Sequence, residues 1–176
     1  MKNKESLILI IACAVLAIAA WQNFSMPALN ETVSEEVFFC PEEGCALQLI
    51  LKINASEKSI DIAIYSFTHD KIADALIEAK QRGVNIRILM EAQQAGSEYS
   101  DDERLSEAGI ETKFMGNPLG IMHNKFMIID SEIVSTGSFN YSENADLRNN
   151  ENLVFLHNPA IIKRFESEFQ RLWNSG

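Results

Sequence analysis

The sequence predicts an α/β fold, a mixed β-sheet flanked by helices on both faces, preceded by a separate hydrophobic segment. Two observations point to it. From Val37 onward, short apolar runs rich in β-branched residues alternate with stretches of helical period. The helical stretches also carry their own start and stop residues. With 47 % hydrophobic and 23 % charged residues in 176, the chain has the make-up of one globular domain with a core of its own.

Residues 37–39, VFF, read as a strand. Pro41, Glu42 and Glu43 resemble the first turn of a helix that runs through ALQLILKI. SIDIAIYSF, 59–67, alternates and is β-branched, so a strand is expected. Thr68 is placed to cap the helix that follows, in which Ile72, Ala75, Leu76 and Ala79 share one face and which Gly83 ends. VNIRILM, 84–90, is the next strand, DDERLSEAG a short helix and IETKFM a further strand. The stretch 123–140, HNKFMIIDSEIVSTGSFN, reads as a hydrophobic hairpin. NENLVFLH, 150–157, is another strand, and Pro159 opens a closing helix, 159–174. No internal repeat is visible.

The N-terminus stands apart. Lys2 and Lys4 precede 15 uncharged apolar residues, 7–21. A bilayer-spanning helix needs about 20, whereas a secretory apolar region takes about 7–15. Ala17-Ile18-Ala19 offers a cleavage site, while extension to Phe24, with Trp21 at the interface, makes an anchor. Residues 1–24 are therefore a signal peptide or a membrane anchor held through 7–24, 25–35 a linker and 36–176 the folded domain. Either reading puts that domain outside the cytoplasm, anchored or released. There Cys40 and Cys45 either form a short disulfide or pack as two thiols.

A net charge of −10 excludes a generic basic nucleic-acid binder, so an anionic substrate must be drawn by a local positive site. The hairpin offers one. Side chains alternate along a strand, so His123 and Lys125 fall side by side, and beyond Gly137 the pair Ser138 and Asn140 repeats the spacing. An imidazole, an ammonium, a hydroxyl and an amide suit a tetrahedral oxyanion. Asp130 points away from His123 and suits an ion pair or a turn cap. The acids Asp101-Asp102-Glu103 and Glu42-Glu43 are expected at solvent-facing helix starts.

The string H-x-K-x4-D-x6-G-S-x-N runs without a gap through His123, Lys125, Asp130, Gly137, Ser138 and Asn140, with Glu151 following in NNENLVF. Over roughly residues 36–175 this resembles the phospholipase D superfamily, and within it the small single-motif bacterial endonucleases. The apolar N-terminus and FFCPEEGC also resemble the mitochondrial-surface nuclease and cardiolipin-hydrolase branch. The resemblance implies the phospholipase D/nuclease fold, with 36–176 as the catalytic domain. It implies a phosphohistidine on His123, phosphoryl oxygens held by Lys125, Ser138 and Asn140, and Glu151 orienting the imidazole. No metal or other cofactor is implied, because the extra ligands of the zinc-binding branch are missing. One motif supplies one histidine, and neither His69 nor His157 rebuilds the motif, so a homodimer sharing one active site is expected. The expected activity is that of a phosphodiesterase, a metal-independent endonuclease acting on DNA or RNA. A hydrolase of phosphatidylcholine or cardiolipin is the alternative, and an inactive binding module the second.

Overall fold

The computed structural model describes residues 35–116 and 120–175. The expected N-terminal segment, most of the linker and residues 117–119 lie outside this range. Among the described residues no helix is long and apolar enough to cross a membrane.

Among the described residues, nine strands and five helices follow in the order β1 (Glu36–Cys40), α1 (Cys45–Ala55), β2 (Ser59–Ile64), β3 (Phe67–Thr68), α2 (Asp70–Gln81), β4 (Asn85–Glu91), α3 (Asp102–Glu107), β5 (Glu111–Met115), β6 (Lys125–Ile129), β7 (Ile133–Gly137), β8 (Tyr141–Ser142), α4 (Glu143–Leu147), β9 (Glu151–Leu156) and α5 (Pro159–Trp173). Seven strands form one sheet in the order β1-β9-β7-β6-β2-β4-β5, and β3 pairs with β8 in a small second sheet. β2, β4 and β5 run parallel, while β6 enters antiparallel beside β2 and β7, β9 and β1 continue antiparallel.

Strand alternation divides the core in two. Ile60, Ile62 and Ile64 of β2, with Met127 and Ile129 of β6, pack against Leu49 and Ile53 of α1 and Ile72 and Leu76 of α2. Ala63, Phe126 and Ile128 point the other way, into Ile162, Phe169, Leu172 and Trp173 of α5. Both faces are covered, so β6 reads as a continuous apolar run with Lys125 at its start and Asp130 just past its end.

Two expected helix starts differ from the structure. Helix α1 begins at Cys45, after Gly44 in the left-handed region at φ 65°. Pro41–Glu43 form a turn instead, because the Glu43 carboxylate folds back to accept from the Phe39 N–H at 2.7 Å. Cys40 and Cys45 are joined by a disulfide across this turn, with Cα atoms 5.7 Å apart. Thr68 is not a cap: it pairs with Ser142 across β3 and β8, and His69 takes the capping position without a side-chain bond. Asp101 is not solvent-facing but buried at 6 % exposure, and this burial raises its pKa.

The β6–β7 hairpin turns through Asp130 and Ser131, both in the left-handed region at φ 54° and 59°. The Asp130 carboxylate accepts from the backbone N–H groups of Glu57, Lys58 and Ser59 at 2.7–2.8 Å, tying the turn to the start of β2. Burial pulls its pKa upward, but the donations from Ser59, Glu57 and Lys58 outweigh that and hold it below the ordinary value. At Gly137, φ is 146° and a Cβ would lie 2.2 Å from the Asn152 carbonyl oxygen.

Asp130→Ala is expected to lower stability at neutral pH by about 2–4 kcal/mol, as charge-assisted hydrogen bonds to three donors are lost. Because the folded pKa is depressed, this contribution is present above the ordinary Asp value and fades as pH falls through the lowered one. Urea unfolding should therefore show the gap between parent and variant closing in acid. A variant that unfolds like its parent at neutral pH would overturn the assignment. Gly137→Ala should cost about 2 kcal/mol or more, from overpacking and backbone strain together.

Candidate active site

All the motif residues except Asp130 gather at one edge of the large sheet. Lys125 is the first residue of β6 and pairs with Ile64, the last of β2. Gly137 ends β7, and Glu151 opens β9 opposite Cys40, the last residue of β1. This edge lies at the C-terminal ends of the parallel strands, beside the switch from parallel to antiparallel order, where open α/β sheets leave a crevice for ligands. Asp130 sits at the opposite end of β6.

His123 is exposed and precedes β6, in a segment without regular secondary structure rather than in the strand itself. The next residue, Asn124, is tied down where its carbonyl accepts from the Tyr65 N–H at 2.9 Å, which prolongs the β2–β6 ladder by one step. The Tyr65 ring lies against the imidazole, with centroids 4.5 Å apart. Lys125 Nζ sits 3.3 Å from both ring nitrogens of His123, donates to the His123 carbonyl at 3.1 Å, and lies 5.1 Å from the centre of the Tyr65 ring. His123 and Lys125 are thus side by side, as their spacing required. Tyr65 could not be found from the motif, since its sole signal is its place at the end of an alternating strand.

Desolvation pulls the Lys125 pKa below the ordinary lysine value, and the charge of Glu151 opposes that fall. The ammonium is therefore a cation taken partly out of water, with a carboxylate near enough to support it. Glu151 itself accepts from the Ser138 hydroxyl at 2.5 Å and from the Asn149 amide at 3.1 Å. Ser138 also accepts from the Asn152 N–H at 3.1 Å, and its own N–H donates to the Asn152 side chain at 2.8 Å. Ser138 thus fastens the end of β7 to the start of β9, with its hydroxyl proton on Glu151. Among the described residues, no hydrogen bond joins Glu151 to His123. Asn140 carries a buried amide oxygen with no partner among the described residues. Asn149 and Asn152 are further members of this network that the motif did not mark.

The other two histidines are engaged elsewhere. His69 is buried with Nε2 3.8 Å from Asp146, and His157 has Nε2 3.5 Å from Glu36. Beside Asn124, a groove of roughly 710 Å³ opens between β6 and α5, lined by Phe126, Ile161, Arg164, Phe165 and Arg171 among others.

A family model described as "Cardiolipin synthase, PLD-like domain" matches residues 49–173. The chain belongs to the phospholipase D superfamily. The mitochondrial cardiolipin hydrolase of Chlamydomonas reinhardtii is 34 % identical over 122 residues, which cover 69 % of this chain and 54 % of that protein. The phospholipase D of Rickettsia prowazekii (strain Madrid E) is 35 % identical over 127 residues, 72 % of this chain and 62 % of that one. The chain therefore spans about half to three-fifths of the length of these relatives. The crystal structure of Nuc, a phospholipase D family member from Salmonella typhimurium, superposes with a TM-score of 0.75 at 32 % identity, covering 80 % of this chain and 94 % of that one. The phospholipase D signature thus occupies one end of the sheet, with an imidazole and an ammonium in contact and a carboxylate near them.

The shift at Lys125 gives a pH test. Charge on Lys125 is lost as pH rises through its lowered pKa, so the alkaline limb of the pH–rate profile should fall below the ordinary lysine value. Glu151→Gln removes the charge that props the ammonium up, so that limb should move further toward neutral pH. A limb that stays in place in the variant would break the link between the two groups.

Proposed function

We propose that this protein is a phosphodiesterase that works through a phosphohistidine on His123, as a metal-independent endonuclease acting on DNA or RNA. The observation that carries this reading is the exposed imidazole held against the desolvated Lys125 ammonium. A neutral ring nitrogen of His123 attacks phosphorus, the N–P bond forms, and the P–O bond to the leaving group breaks. A second, protonated imidazole gives its proton to the leaving oxygen, then takes one from water as water displaces His123. Lys125 and Asn140 hold the phosphoryl oxygens as charge builds. Ser138 joins them by turning its hydroxyl from Glu151 to the phosphate, and Glu151 is then free to orient an imidazole.

The second imidazole is assigned to a second copy of the chain, because His69 and His157 are engaged elsewhere. A twofold homodimer with one shared site follows. Nucleic acid is supported by the groove beside Asn124, where Arg164 suits a backbone phosphate and Phe165 a base, while Arg171 is paired with Glu168 of the same groove. Phospholipid is the second reading. It is supported by relatives named cardiolipin hydrolase and phospholipase D, and by residues 7–24, which if uncleaved hold the enzyme at a bilayer outside the cytoplasm.

One assay separates these readings: the purified full chain in detergent, with excess EDTA, on single-stranded DNA, RNA, phosphatidylcholine and cardiolipin side by side. Turnover of a nucleic acid is expected, and His123→Ala should remove it. Turnover of lipid alone favours the second reading, and loss of all activity to the chelator with rescue by a divalent ion overturns metal independence. Mixing parent with His123→Ala subunits under exchange should make activity fall as the square of the parental fraction. A linear fall would rule out the shared site.

A further inference from the structure

We propose that Glu91 is a positioning residue for His123, holding the backbone N–H of the residue immediately before it. This rests on the assignment of His123 as nucleophile. Glu91 ends β4 and is wholly buried. Its Oε2 accepts from the Met122 N–H at 2.5 Å, while Oε1 has no partner among the described residues. By strand alternation Glu91 lies on the side of Leu89, the layer that also holds Met122 and Met115.

The anchor is firm where its load is not. The Glu91 carbonyl accepts from the N–H groups of Gln94 and Ala95 at 3.0 and 3.1 Å, and the neighbouring Ala92 N–H donates to the Met115 carbonyl at 2.9 Å. The segment carrying His123 has no strand ladder of its own. Two hydrogen bonds bracket it: Met122 N–H to Glu91 before the histidine, and Tyr65 N–H to the Asn124 carbonyl after it. One residue, His123, lies between the two ties. Removing either takes away one of the two backbone hydrogen bonds that flank the imidazole. A carboxylate is a poor choice for filling this methionine-rich layer, since burying a polar group disfavours the fold unless it is bonded. What it supplies that an apolar side chain cannot is the acceptor for that single N–H.

The test compares Glu91→Met, which keeps the bulk and removes the acceptor, with Glu91→Gln, which keeps an acceptor oxygen. The full chain is assayed on bis(4-nitrophenyl) phosphate, a small diester indifferent to the nucleic-acid or lipid question, with His123→Ala as reference. Glu91→Met should lose about 10- to 100-fold in kcat, the scale of a misplaced reacting group. KM should change by less than about threefold, because ground-state binding is untouched. Glu91→Gln should restore kcat to near the parental value. Amide hydrogen exchange at Met122 should be slow in the parent and in Glu91→Gln, and about tenfold faster or more in Glu91→Met. A folded Glu91→Met with parental kcat overturns the proposal, as does a Glu91→Gln that loses as much as Glu91→Met. If the parent does not turn over the diester, or His123→Ala keeps its rate, the nucleophile assignment fails. The exchange at Met122 then decides alone, and unchanged exchange in Glu91→Met overturns the tie itself.

Discussion

Asp130 grips the start of β2 through three backbone N–H groups, and the register of β6 against β2 follows from that grip. The Asp130 N–H also donates to the Ser59 carbonyl at 2.8 Å, so the first step of the ladder is fixed at both atoms of the pair. From there the pairing runs Ile60 with Ile129 to Ile64 with Lys125. A slip of one residue would exchange the two apolar sets of β6 between layers and turn Lys125 to the wrong side. Lys125 and the four residues that separate it from Asp130 are therefore the whole of β6, and the motif's aspartate sets the register of the strand from its far end.

At the near end the problem is electrostatic. The protein carries a net charge of −10, and this end of the sheet still holds a cation, Lys125. Lys125 is partly desolvated, which strengthens its field but weakens its hold on its proton. Glu151 offsets the second effect, and it is itself held by Ser138 and Asn149 rather than left free to form an ion pair that would cancel the charge. Gly137 makes this possible. Its missing side chain lets the end of β7 approach Asn152 closely enough for the Ser138 hydroxyl to reach Glu151 and the Asn152 N–H together.

The disulfide belongs to the same edge. Cys40 lies opposite Glu151 in the β1–β9 pairing, and Cys45 opens α1, whose Ala46 N–H donates to Asp146 at 2.8 Å. Asp146 in turn neighbours the buried His69. The strand that bears Glu151 is thereby backed by a covalent link and a helix start, which gives the carboxylate a fixed place at this end of the sheet.

Much of this was legible in the sequence, because it depends on local spacing. Alternation in SIDIAIYSF, the apolar run in KFMII, helical period in 70–81 and 159–173, and the gapless string from His123 to Asn140 are properties of neighbouring residues, and they determined the element types, the covered sheet and the pairing of His123 with Lys125. What tertiary structure alone decided are the contacts between residues far apart in the chain. Thr68 left its capping place for a pairing with Ser142, and Pro41–Glu43 became a turn closed by Glu43 and the disulfide rather than a helix. Asp130 found its donors more than seventy residues away, Tyr65 reached His123 from the end of the neighbouring strand, and Glu91 reached Met122 from the end of β4. No periodicity records such partners, since each is set by strand order and by which polar groups the packed layers leave without water.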